Sequence, residues 1–153
     1  MKPRPVHRTA PPTLRDERGF SFIELLVVML VIGILAAIAL PTFVGQGRRG
    51  QDASAKSNAR NLLGMVEACS TEKNDYTTCD SLAELTAGGD KLGFVYGSAP
   101  GQGEVANAKS DSYDVIAHST SGNDFTISRD KNGAVTRTCA TAGTAGCPTS
   151  HNW

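Results

Sequence analysis

One glycine, one carboxylate and four thiols carry the chemistry that this sequence offers. Glu24 is the only charged residue between Phe20 and Leu40, in the run FSFIELLVVMLVIGILAAIAL. A lone acid within an apolar span is costly to leave unpaired, by about 3 kcal/mol or more, so it calls for a partner. Gly19 sits where a charged head meets this run, the natural place for a cut that keeps the span in the mature chain. Cys69, Cys79, Cys139 and Cys147 fall into two local pairs. Such thiols tend to oxidise outside the cytoplasm. Four cysteines allow three connectivities, and sequence does not choose among them. Neighbour pairing, Cys69 with Cys79 and Cys139 with Cys147, is the expectation. Each bridge would close a loop of about ten residues and contribute roughly 2–4 kcal/mol.

Nothing here points to catalysis. There is no G-x-S-x-G, phosphate loop or paired-acid motif, and the cysteines are better used as staples than as nucleophiles. No C-x-x-C spacing occurs and His7, His118 and His151 are scattered, so neither a metal nor a cofactor is expected. His118, on a predicted strand without paired ligands, reads as a surface or edge residue. Asp130-Lys131-Asn132-Gly133 resembles the start of a calcium loop but lacks the later acidic ligand. The full chain is neutral, and the part after Gly19 has ten Lys+Arg against thirteen Asp+Glu. That balance lacks the basic surplus of a nucleic-acid-binding domain. Lys109, Arg129, Lys131 and Arg137 are the only residues from which a basic stripe on the head could be built.

These residues need elements to hold them. The head, residues 1–19, carries Lys2, Arg4, Arg8, Arg15 and Arg18 against Asp16 and Glu17. Basic residues on one flank hold that flank in the cytoplasm and put the rest of the chain outside. Phe20 to Leu40 meets the roughly 20 residues a spanning helix needs. Ala36-Ala37-Ile38-Ala39 can be read as a secretory cleavage site, but the run before it is long and contains Glu24, so the span is read as retained. Helix is predicted to continue to Cys69. Pro41 removes one of its backbone bonds, and Gly45, Gly47 and Gly50 each cost about 1 kcal/mol relative to alanine, making 41–50 its weak link. From Ala53 the pattern recovers. Ala59, Leu62, Leu63, Val66 and Cys69 form one apolar face for a sheet, while Lys56, Arg60 and Glu67 fall largely elsewhere.

Residues 70–112 read as a connection. Ser81 to Leu85 predicts one helical turn, with Asp80 or Ser81 as N-cap and Glu84 placed for a capping box. Phe94-Val95-Tyr96 suits a first strand or a packing patch, and Ser98 to Asn107 is Gly/Ala/Pro-rich and predicts loop. The period then switches to two. Tyr113–His118, Phe125–Arg129 and Ala134–Thr138 predict strands, with Asn132-Gly133 as the hairpin signal. The expected class is α+β: a long N-terminal helix, membrane-spanning and then amphipathic, on a small antiparallel sheet of three to four strands. The expected divisions are 1–19, 20–41, 42–70 and 71–153.

Gly19-Phe20-Ser21-Phe22-Ile23-Glu24-Leu25 resembles the processing site of type IV prepilins, a resemblance that extends over about residues 15–65 and includes Pro41. It implies that a membrane peptidase cuts between Gly19 and Phe20 and methylates the new N-terminus. It further implies a pilin fold and a precursor held in the cytoplasmic membrane that joins copies of itself in a surface filament. Glu24 would then pair with the α-amino group of a neighbour's Phe20 and set the register. An assembly ATPase and a platform protein are implied partners. Relatives sharing this N-terminus include pseudopilins of type II secretion, and minor pilins that capture DNA.

Overall fold

The computed structural model describes residues 19–89 and 91–153. The expectations placed on residues 1–18, a leader with its basic charges, lie outside the described residues. Residues as far as Ile38 and residues Ala39–Trp153 cluster as two separate units.

One helix, α1, runs Phe22–Lys73. Pro41 lies inside it, and helix is maintained through Gly45, Gly47 and Gly50. Thr42 Oγ1 donates to the Ala39 carbonyl at 2.8 Å, while the carbonyl that Pro41 leaves without its helical donor is that of Ala37.

In the Ala39–Trp153 unit, the later part of α1 packs on a sheet. The element order is α2 (Leu82–Leu85), β1 (Gly103–Ala106), β2 (Tyr113–His118), β3 (Asp124–Arg129) and β4 (Val135–Cys139), and the strands form an antiparallel meander in the order β1-β2-β3-β4. Strand alternation supplies one core layer: Tyr113, Val115 and Ala117 of β2, then Phe125 and Ile127 of β3. Ala55, Ala59, Leu62, Val66 and Cys69 supply the other, at helical spacings of three and four. Strand β4 differs: Val135 to Thr138 are exposed whichever face they occupy, and only Cys139 is buried.

Two departures from the sequence pattern, and one choice that it left open between a strand and a packing patch, have physical causes. The stretch Ser98–Asn107, which composition predicts as loop, contains β1. Val105 is its single buried apolar residue, and pairing with β2 (Val105 opposite Val115) makes the strand. Phe94-Val95-Tyr96 forms no strand; it is a packing patch with one bridge, Tyr96 to Gly103. Gly103 must be glycine there, since a Cβ would lie 2.9 Å from the Phe94 ring. The β3–β4 connection is longer than a two-residue turn: Arg129 pairs with Val135, and Asp130 accepts from the N–H groups of Asn132 and Ala134 at 2.9 and 2.8 Å. Those bonds hold the Asp130 carboxyl below its ordinary value.

Disulfides join Cys69 to Cys79 and Cys139 to Cys147. Each closed loop is tied to α1 by a carboxylate. Asp52 is fully buried. Its Oδ1 accepts from Ser119 Oγ at 2.7 Å and from Ser121 Oγ, and its Oδ2 accepts from the Gly146 N–H at 2.8 Å. A Cβ at Gly146 would lie 2.7 Å from the Asp52 Cβ, so only glycine allows this approach. Lys56, one turn on, donates to the Gly146 carbonyl at 2.7 Å and lies over the Phe125 and Trp153 rings. Arg60 stacks on the other end of the series, 5.1 Å from the Trp153 ring centre, and the Trp153 indole N–H donates to the Thr138 carbonyl.

Glu67 is the second anchor. It accepts from Tyr113 at 2.6 Å, Arg129 at 2.9 Å and Tyr76 at 3.0 Å. Tyr76 lies within the Cys69–Cys79 loop and packs against Tyr113, ring centres 4.6 Å apart. Lys56, Arg60 and Glu67 lie outside the buried stripe, as the apolar periodicity predicts, yet they are not idle. They flank the apolar stripe and engage the sheet and the terminal segment.

Replacing Asp52 with Ala strips three donors of their acceptor, one buried (Ser119) and two partly buried (Ser121 and Gly146). At about 1–3 kcal/mol per orphaned group, with partial relaxation, the head is expected to lose about 3 kcal/mol in urea unfolding, with both disulfides still formed. The Tyr113 hydroxyl titrates well above its ordinary value near 10, first because of burial and then because it donates to Glu67. A raised pKa means that its contribution is complete below about pH 10 and is lost as pH rises further. Spectrophotometric alkaline titration should show one tyrosine ionising only as the head unfolds, and Tyr113→Phe should remove that step.

Candidate assembly site

The start of α1 is built by two side chains. Ser21 is the N-cap: its carbonyl accepts the first helical bond, from Leu25, and its Oγ accepts from the Glu24 N–H at 3.3 Å. Glu24 reaches back, its Oε2 accepting from the Ser21 N–H at 3.0 Å. This reciprocal pair is a capping box, with the acid also at the positive end of the helix. Only one carboxylate oxygen is used; Oε1 accepts no hydrogen bond among the described residues. Gly19 and Phe20 precede the helix and are exposed.

Beyond Glu24 the surface is apolar all round. Sixteen large apolar side chains between Phe20 and Phe43 are exposed, from 48% for Val31 to 89% for Phe20. Covering such a side chain is worth about 1.5–3 kcal/mol. Together they represent tens of kcal/mol, several times the ~5–15 kcal/mol that holds a typical domain together. This surface must therefore be covered by lipid or by other protein.

The model of the prokaryotic N-terminal methylation motif matches residues 14–40. The chain is 36% identical to the type IV major pilin protein PilA of Myxococcus xanthus over 92 residues, 60% of this chain and 42% of that one. It is 31% identical to the type IV narrow pilus major component PilA5 of Thermus thermophilus over 121 residues, 79% of this chain and 92% of the relative. This chain belongs to the type IV pilin family. The wide pilus major component PilA4 of the same Thermus species is 28% identical over 130 residues, 84% of this chain and 95% of that pilin. No solved structure is matched. As a pilin the chain is a structural subunit and not an enzyme.

The other sequence-predicted residues fall into place around the pilin head. Pro41 lies within α1, and the four cysteines are bonded in the head. His118 is not the lone residue that its sequence neighbours suggest: β-pairing brings Nδ1 within 2.8 Å of Asp124 Oδ1 and Nε2 within 3.5 Å of Glu104 Oε1. Of the cations considered for a basic stripe, Arg129 and Arg137 are diagonal neighbours on one sheet face, but Arg129 is already ion-paired. Arg129 is held by Glu67 and lies over the Tyr76 ring, and Arg137 stands opposite Ile127. Lys109 lines a groove that also contains Asp114 and Asp130.

The role of Ser21 escapes a reading that stops at the acid, although its signal is plain: Ser-x-x-Glu immediately before an apolar run. Asp52 had a signal too. It continues the spacing 52, 55, 59, 62, 66, 69 of the buried stripe, an acid where the helix faces its sheet. Nothing local marks Ser119, Ser121 or Gly146 as its partners.

Ser21→Ala should cost the helix start about 1 kcal/mol. In the detergent-solubilised chain this appears as roughly five- to tenfold faster amide exchange at Glu24, with no change at Leu62 or Val66.

Proposed function

We propose that this pilin is made as a membrane-held precursor, cut between Gly19 and Phe20, methylated on Phe20, and assembled into a surface filament through α1. The observation that carries this reading is the carboxylate of Glu24, half engaged by its own N-cap within an uncovered apolar helix. Hydrolysis of the Gly19–Phe20 bond leaves a cationic α-amino group on Phe20. The unused Oε1 of Glu24 on a neighbouring copy is an anion of the right kind to receive it. While a subunit waits in the membrane, the capping box relieves part of the cost of an acid near lipid. In the filament, an ion pair between copies relieves the rest and fixes the axial register, since any other stagger leaves both charges unpaired. The apolar surface exchanges lipid for helices, and the disulfide-stapled head faces outward.

The names of the relatives favour a pilus over a secretion piston. The engagement of Arg129 by Glu67 weighs against a DNA-capturing head. A prepilin peptidase, a platform protein and an assembly ATPase are the machinery this route requires. Adhesion, twitching motility and DNA uptake are the activities such a filament would support.

Non-reducing mass spectrometry of filaments sheared from producing cells tests the route. The expected species begins at methylated Phe20 and is four hydrogens lighter than the reduced chain. A chain starting at Met1, or one cut near Ala39, would refute the processing step. Glu24→Ala should insert into membranes normally and give no filaments; normal filaments from that variant would rule out the pairing.

A further inference from the structure

Arg48 and Arg49 are adjacent, exposed cations on α1, and neither makes a side-chain hydrogen bond among the described residues. No charged residue separates them from Glu24; the interval Leu25 to Gly47 is 23 residues. A helix crosses the hydrocarbon layer in roughly 20 residues. The first charges after the span thus fall one bilayer crossing beyond its acid.

Their surroundings sharpen the point. Among the described residues neither arginine makes an ion pair. The one carboxylate within a helical turn, Asp52, is buried and already receives Ser119, Ser121 and Gly146. The flanking residues Gly45, Gly47 and Gly50 have open space where a side chain would be. Two guanidinium groups without an ion pair among the described residues therefore stand on a stretch of helix poor in side chains of its own, Arg48 lining a groove with Ser121, Gly122 and Asn123 of the head. A guanidinium fork matches phosphate oxygens in charge and geometry.

From this we infer that Arg48 and Arg49 form a headgroup site. In the membrane-stored subunit they bind the phosphates of anionic phospholipids in the outer leaflet of the cytoplasmic membrane and fix the depth of the helix. The inference rests on reading α1 as the membrane anchor. It adds that the outer end of the span is held by charge, so extraction into a filament must break these contacts as well as exchange apolar surface. Cationic groups close to an anionic surface are attracted by about 1 kcal/mol each, so removing both should weaken the preference for anionic lipid by roughly thirtyfold at most.

The test uses the full chain in vesicles of phosphatidylcholine with and without phosphatidylglycerol. Solid-state dephasing between the guanidinium carbons of Arg48 and Arg49 and lipid phosphorus reads contact directly. Protection of the apolar segment from protease reads insertion separately. Contact in an inserted chain, with selectivity for spin-labelled phosphatidylglycerol that falls to parity in the Arg48→Gln/Arg49→Gln variant, supports the inference. Insertion without phosphorus contact overturns it and leaves the membrane anchor standing. Contact of the guanidinium carbons with carboxylate carbons of a second copy also overturns it, in favour of a subunit interface. A chain that does not insert at all defeats both readings.

Discussion

The head is organised by two carboxylates on one helix. Asp52 and Glu67 are fifteen residues apart on α1, a separation of about 22 Å along a helix axis. Each accepts three hydrogen bonds from groups distant in sequence. Each also collects one disulfide-closed loop: Asp52 takes the backbone beside Cys147, and Glu67 takes the tyrosine inside the Cys69–Cys79 loop. The apolar stripe between them supplies affinity between helix and sheet without fixing the position of one on the other. The acids fix it, because a shift of one turn would leave a buried charge and several donors without partners. The disulfides shorten the loops, and the carboxylates determine where the shortened loops are fastened.

The other part of α1 uses a carboxylate differently. Among the described residues Glu24 is engaged by its own first turn. Its capping box engages one carboxylate oxygen, and the other accepts no hydrogen bond among the described residues. Asp52 is saturated and serves stability. Glu24 has one oxygen without a donor among the described residues, the one that the proposed pairing uses. The same residue class therefore does different work at different positions on one helix, and what separates the cases is how many donors the local fold supplies.

Much of this was legible before any coordinates. The period-two runs Tyr113–His118 and Phe125–Arg129 identify β2 and β3 because each buries alternate residues against the helix. The 3.6-residue period of Ala59 to Cys69 identifies the helix face for the same reason. β1 was not legible: Gly103, Glu104, Val105 and Ala106 contain one large apolar residue, and the strand exists by virtue of its pairing with β2. The polar anchors were also hidden. Glu67 looks like a solvated helix acid until Tyr76, Tyr113 and Arg129 converge on it from three other segments. At the N-terminus the motif around Gly19 and Glu24 could be read directly, since its signal is local, whereas the place of Arg129 depends on a contact with a residue 62 positions away.

Strand β4 leads somewhere else. Its residues Val135 to Thr138 are exposed on both faces, so they belong to the sheet by backbone bonding and contribute little to the core. A population under pressure to alter its exterior has here a stretch it can rewrite cheaply. Changes at Val135, Thr136 or Arg137 would alter the exposed chemistry of the head, while the helix, the two acids and both bridges go on holding the same scaffold. Diversity should therefore gather on this outermost strand and stop abruptly at Cys139, where the chain turns back toward its anchor.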